Sequence, residues 1–221
     1  MTNFIWLSYP LDVAGPRPPA IPEPKLSTFY TVDKDGASVH ILEVASHTGT
    51  HVDAPQHVVK DGLSIHDFEP QEFIFTSPVI VDLSLKDAEI VMTPHLKPFE
   101  TEMKSADIVL FRFGYGKVRE SDPKRFSLKS PGFGVESARY LRDTFPHLRA
   151  MGLDVPSLAC INDLDNTMIS HNILLEGKGR RFLVIEEMRI PADLKMLKEV
   201  RVNPWLVKNM DSAPCTVVGI L

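Results

Sequence analysis

Ser46-His47-Thr48-Gly49-Thr50-His51-Val52-Asp53-Ala54-Pro55-Gln56-His57 gathers three of the eight histidines of a 221-residue chain into eleven positions. His47 and His51 stand at i and i+4, which on a helix would align two imidazoles, but Gly49, Thr50, Val52 and Pro55 weigh against a helix here. An extended chain explains the pattern better. His47, His51, Asp53 and His57 are all odd-numbered and point to one side, while Val52 and Ala54 point to the other. A straight strand would separate His47 from His51 by ~13 Å at ~3.3 Å per residue, too far for donors that each sit ~2 Å from one ion. The segment must therefore curl, at Gly49 through an unusual φ and at Pro55 through a turn. Two imidazoles and a carboxylate suit Zn, Mn or Fe, and three protein ligands leave a coordination position for water. No cysteine falls in the stretch, so a closed structural zinc site is not expected.

On the amino-terminal side, residues 3–8 read as a strand and 9–25 as a proline-stiffened extended arm, since six of the eighteen prolines fall in the first 24 residues. Residues 26–32 and 38–45 look like two strands of a hairpin joined across Asp33-Lys34-Asp35-Gly36. On the carboxy-terminal side, apolar runs at 78–83, 107–113, 150–155, 182–187 and 215–221 read as strands. Helical periodicity is clearest at 135–148, where Ala138, Leu141 and Phe145 recur, with Pro146 expected to fray its end. Residues 166–175 form a second helix candidate, and 178–181 a basic turn after it. Strands first, then strands alternating with helices, give an α/β fold: one domain over residues 1–221 with mixed β-sheet layers and flanking helices.

Composition narrows the function. A formal net charge of −5 and the lack of any basic run argue against nucleic-acid binding. No apolar stretch approaches the ~20 residues of a membrane span, and Pro10 interrupts the only apolar segment near the start, so a cytoplasmic protein is expected. Cys160 and Cys215 lack CxxC spacing and read as buried small hydrophobes. There is no G-x-S-x-G nucleophile elbow. Gly132-Phe133-Gly134 reads as the cap of the helix near Val135 rather than a dinucleotide fingerprint. His66 is expected to be structural or supporting, and His40, His95 and His147 carry no assigned chemistry.

The run HTGTHVDAPQH at 47–57 meets every fixed position of the HxGTHxDxPxH signature, and the chain resembles the cyclase family of metal-dependent hydrolases, of kynurenine formamidase and isatin hydrolase type. Further segments are similar to that family's pattern: Arg112-Phe113-Gly114 closing a strand, Gly152-Leu153-Asp154-Val155-Pro156-Ser157, His171-Asn172-Ile173-Leu174-Leu175, and Ser212–Val218. The resemblance implies a swivelling β/β/α-like domain and two divalent metal ions, Zn ahead of Mn. His47, His51 and Asp53 would bind the first ion. Asp53 and Glu186 would bridge to a second, held also by His171, with His57 as proton donor and acceptor.

The implied activity is that of a metal-dependent amidohydrolase of the arylformamidase or isatin hydrolase kind. A metal-bound hydroxide would cleave a small amide, formamide, lactam or related carbonyl substrate. Two other classes remain open at this level: a lyase or cyclase using the same site without net hydrolysis, and a non-catalytic metal-binding module. Glu187 competes with Glu186 as ligand, and strand alternation alone does not choose. The family pattern, in which the residue before Met188 is seldom acidic, favours Glu186. The expected partners are a small-molecule substrate and further copies of the chain, as a homodimer or higher homo-oligomer. The arm carries Ile21-Pro22-Glu23-Pro24 where formamidases have an aromatic segment, so substrate choice is expected to differ there. It would either fold over a pocket or wrap the surface.

Overall fold

In the computed structural model, which describes residues 3–176 and 180–221, all five residues of Ile108–Arg112 are buried, and their alternation divides the core in two. Val109 and Phe111 join one cluster with Val81, Met151, Leu153 and Val184, while Ile108 and Leu110 join another with Val52, Ala150, Leu183 and Ile185. A strand buried on both faces reads as a continuous apolar run, which is why this segment is so legible.

In chain order the strands are β1 (Phe4–Trp6), β2 (Lys25–Tyr30), β3 (Val39–Glu43), β4 (His51–Asp53), β5 (Ile74–Phe75), β6 (Pro78–Asp82), β7 (Ile90–Val91), β8 (Ile108–Arg112), β9 (Gly132–Phe133), β10 (Ala150–Leu153), β11 (Leu183–Glu186), β12 (Glu199–Pro204) and β13 (Ser212–Ile220). The helices are α1 (Val32–Asp35), α2 (Thr93–Leu96), α3 (Glu100–Met103), α4 (Tyr115–Ser121), α5 (Pro123–Lys129), α6 (Val135–Thr144) and α7 (Leu164–Leu175).

One mixed sheet runs β5-β12-β13-β4-β11-β10-β8-β6, with β1 paired to the far half of β13. β6, β8, β10 and β11 are mutually parallel, and β4 is antiparallel to both β11 and β13. Phe126 of α5, Ala138 and Leu141 of α6 and Leu174 and Leu175 of α7 pack on one face. The other face is closed by Ile65, Phe68, Phe73 and Phe75 and by Ile190, Leu194 and Leu197. This is the mixed α/β architecture with flanking helices that the pattern predicts.

Several boundaries move for physical reasons. β13 begins at Ser212 rather than 215, because Ser212–Pro214 pair with His51–Asp53. α6 stops at Thr144, ahead of Pro146. β10 ends at Leu153, since Asp154 turns away to accept the backbone N–H groups of Phe113, Gly114 and Tyr115 at 2.8, 2.9 and 3.0 Å. The hairpin is present, but its connection is the helical turn α1, closed by Gly36 at φ +74°. The expected basic turn at 178–181 lies partly outside the described residues. No helix among the described residues is long and apolar enough to cross a membrane.

Candidate metal centre and pocket

Gly49 adopts φ +65°, β4 follows at once, and Pro55–His57 form a 3-10 turn, so the segment curls at the two expected positions. Val52 and Ala54 are fully buried, which fixes which side of β4 the odd-numbered residues occupy. His51 pairs directly with Glu186 across β4 and β11, and directly opposed residues of antiparallel strands project to the same face. The register therefore puts Glu186, not Glu187, beside the histidines. His171 reaches the same spot from α7.

Each imidazole is oriented by a bond on its far side. His51 Nδ1 donates to the Gly49 carbonyl at 2.8 Å and His171 Nδ1 to the Thr167 carbonyl at 3.3 Å, which leaves the Nε2 lone pairs facing inward. His47 is turned the other way: Nε2 donates to Asp211 Oδ2 at 2.9 Å and Nδ1 stands 3.1 Å from Asp53 Oδ1. Glu186 Oε2 lies 3.2 Å from His51 Nε2, and Oε1 lies 3.3 Å from His171 Nε2 while accepting the Leu158 N–H at 2.6 Å. His51 Nε2 and both carboxylate oxygens of Asp53 are buried with no hydrogen-bond partner. Unpaired buried polar atoms of this kind are costly. Three of them converging with histidine lone pairs and a second carboxylate are what a divalent cation would satisfy, so the donor set fits a metal.

Among the described residues three groups have ligand atoms within 4.8 Å of one another, His47–His51–Asp53, Asp53–His57–His171 and His47–His57–Asp211. His57 thus stands close enough to act as a ligand as well as a base. Its Nδ1 donates to Asp211 Oδ2 at 3.3 Å. Asp211, which the sequence reading did not single out, therefore joins a ligand to the proposed base. Its carboxylate can only accept, so it sets the tautomer of both rings. In sequence it is a lone acid beside Ser212, and only the pairing of β13 with β4 brings it here.

The charges are strongly interdependent. Burial opposes the protonation of His47, yet the hydrogen bond to Asp211 and the nearby Asp53 carboxylate carry it up to about 10. Burial likewise opposes charge on His51 and His171, and Asp53 and Glu186 raise both above the ordinary histidine value. In return Asp53 is held down against burial and against Glu186, chiefly by His51 and His47. Glu186 is held far down, against burial, by His171 and His51, and His47 and His57 do the same to Asp211.

A cavity of about 420 Å³ opens onto this cluster and is shared by His47, His51, His57, His171 and Glu186. Pro18, Pro19, Ala20 and Ile21 of the arm form one wall and Ile161, Leu164 and Met168 another, with no lysine or arginine in the lining among the described residues. The arm therefore folds over the pocket rather than merely wrapping the surface. Cys160 is buried, and Cys215 is buried with its thiol pushed up by burial. His66 bonds Ser64 Oγ at 2.6 Å and accepts the Asn209 N–H at 3.1 Å, a structural tie between two loops.

A family profile described as putative cyclase matches residues 5–159. An uncharacterized protein of Haemophilus influenzae is 29% identical over 119 residues, which cover 54% of this chain and 84% of that protein. A kynurenine formamidase of Bacillus cereus is 30% identical over 133 residues, 59% of this chain and 58% of the enzyme. Among solved structures, isatin hydrolase A from Labrenzia aggregata, bound to benzyl benzoate, superposes with a TM-score of 0.84 at 20% identity, covering all of this chain and 94% of that one.

Proposed function

The chain belongs to the cyclase family, and from that membership and the geometry of its site we propose that it is a metal-dependent hydrolase of small amide-type carbonyl compounds. The observation that carries this reading is the set of unpaired buried atoms, His51 Nε2 and both Asp53 oxygens, beside His57 held by Asp211 at the floor of an apolar pocket. His47, His51 and Asp53 would hold one divalent ion, with Glu186, His171 and Asp53 available to a second, Zn or Mn. Such an ion supplies Lewis acidity toward a carbonyl oxygen and lowers the pKa of water.

The remaining chemistry belongs to the chain. Asp211 fixes the proton of His57 on Nδ1, so Nε2 is free to accept a proton from the attacking water. As the carbon–nitrogen bond breaks, the same proton passes from Nε2 to the leaving nitrogen, which regenerates the base. The walls exclude bulk water and bind the apolar part of the substrate. Among the described residues the lining holds no lysine or arginine to meet a carboxylate, which favours an uncharged substrate such as an aryl formamide or a lactam fused to a ring. The likeness to an isatin hydrolase and to a formamidase supports that chemistry.

The test is a panel of aryl formamides, cyclic imides and lactones assayed before and after chelation, and after adding back Zn or Mn. His51→Ala is expected to lose the metal, and His57→Ala to keep most of it while turnover drops at least a hundredfold. A folded protein that binds no metal ion, or that turns over the panel equally well in chelator, would sink the reading.

We also propose a homodimer in a cytosolic setting, where two free buried cysteines are at home. The hairpin β2–β3 is exposed on both faces, including Leu26, Phe29, Tyr30, Val39, Ile41 and Leu42. A lone two-stranded hairpin is marginally stable in water. At roughly half exposure these side chains present on the order of 500 Å², most of the ~800 Å² per partner of a standard interface. A second copy covers it.

A further inference from the structure

Glu187 follows the ligand Glu186 and is itself 2% exposed, so two consecutive buried acids point in opposite directions from the end of β11. Its φ is +52°, a left-handed conformation that is strained for a non-glycine residue, so the surroundings must impose it. Three contacts do. The Glu187 N–H donates to Val155 O at 2.7 Å, its carbonyl accepts Thr50 Oγ1 at 2.6 Å, and its carboxylate accepts Arg119 Nε and Nη2 at 2.9 and 2.8 Å.

These partners are neighbours of the metal ligands. Thr50 precedes His51 as Glu187 follows Glu186, and His51 and Glu186 are opposed in the sheet. Tyr9 closes the ring from both ends: its N–H donates to Thr50 Oγ1 at 3.1 Å, and its aromatic face carries the Arg119 guanidinium at 3.9 Å. Tyr9 lies at the root of the arm. Arg119 also lies beside the arm's first turn, where a Cβ on Gly15 would stand 3.6 Å from Nη2. From that turn the arm runs on to Pro18–Ile21, the pocket wall.

We propose that Arg119 is a positioning residue that clasps two parts of the site together: the backbone bearing Glu186 and His51 on one side, and the arm that walls the substrate pocket on the other. A buried ion pair is a poor source of net stability compared with apolar packing, since both charges lose their hydration. Its directed hydrogen bonds and planar stack do define geometry. The clasp holds Glu187 away from the ion, so that one carboxylate of the two faces the metal. It also registers the wall against the cluster. This inference rests on the metal-centre reading of the site but not on which carbonyl compound is cleaved.

Three readouts test it: Mn affinity by calorimetric titration of the metal-free protein, and, on the metal-saturated protein, amide exchange across residues 11–21 and KM and kcat on whichever panel member is turned over. The first two decide the proposal even if no panel member reacts. Arg119→Met is expected to weaken Mn binding about tenfold, to speed arm exchange at least fivefold and to raise KM more than it lowers kcat. Arg119→Lys, which keeps the charge without the planar fork, should recover Mn affinity and leave arm exchange fast. Tyr9→Leu, which retains the ion pair, should speed arm exchange with Mn affinity within threefold, and it serves if Arg119→Met fails to fold. Unchanged arm exchange in these variants, or Mn affinity within twofold of the parent in folded Arg119→Met, overturns the proposal and leaves Arg119 an ordinary ion pair.

Discussion

Asp211 accepts from His47 on one side and His57 on the other with a single oxygen, Oδ2. Asp211→Asn keeps the shape but replaces an acceptor-only group with one that also donates, so each ring loses its enforced tautomer. The expected loss is 10–100-fold in metal affinity or turnover, measured by titration and steady-state kinetics. Protonation gives a second prediction at this scale. Without the ion, Asp211 and Asp53 outweigh burial and raise His47 from its ordinary 6.5 to about 10. A raised folded-state value means the stabilisation is complete below about 6.5 and is lost as pH rises through about 10. The metal-free protein should therefore lose urea resistance over that window, while the metal-loaded protein, whose imidazoles are held neutral by the ion, should lose less. Metal binding at pH 7.5 should release at least one proton, seen as a dependence of the titration enthalpy on buffer; no release would contradict the assignment. Residue types and parity made His47, His51, Asp53 and His57 readable from sequence. Strand alternation did not separate Glu186 from Glu187 and the family pattern was needed to favour Glu186; the register of β4 against β11 puts Glu186 opposite His51, and Asp211 had no local signal at all.

At the scale of elements, the site depends on strands that carry almost no pattern. β9 is two residues long, yet a Cβ on Gly132 would stand 2.5 Å from Cys160 N and 2.7 Å from Leu158 O, both backbone atoms that cannot swing aside. Gly132→Ala should cost about 1–3 kcal/mol by urea denaturation. It should also weaken metal binding, because the displaced segment includes the Leu158 N–H that fixes Glu186. A variant as stable as the parent would show that the loop yields freely. Doubly buried strands such as β8 were evident from sequence because their apolar runs are continuous. β12, Glu-Val-Arg-Val-Asn-Pro, was not, since half of it faces solvent and its polar residues mask a regular alternation of buried Val200 and Val202. The hairpin was evident, but its helical turn was not: Asp35 accepts the Thr31 N–H at 2.8 Å and closes a longer loop than the turn sequence suggested.

Over the whole molecule, the mixed sheet holds the ligands while the hairpin stands apart from it, paired only within itself. If a second copy covers the hairpin, the parent should sediment as a dimer at micromolar concentration, and Phe29→Asp combined with Ile41→Asp should sediment as a monomer. A parent that remains monomeric at high concentration would remove the homodimer from the account. Sequence could indicate the arm and the hairpin as segments but not which one faces inward, because both are amphiphilic and only the packed body shows where a cavity lies.

Beyond the Tyr9–Arg119 tie at its root, the arm shapes itself: Asp12 accepts the N–H groups of Ala14 and Gly15, and Pro18 O accepts that of Ile21. None of its residues belongs to the main sheet. Pro18–Ile21 can therefore be treated as an exchangeable cassette. Grafting other loops there would alter the repertoire of compounds admitted without rewriting the catalytic core, and gives a protein engineer a place to begin.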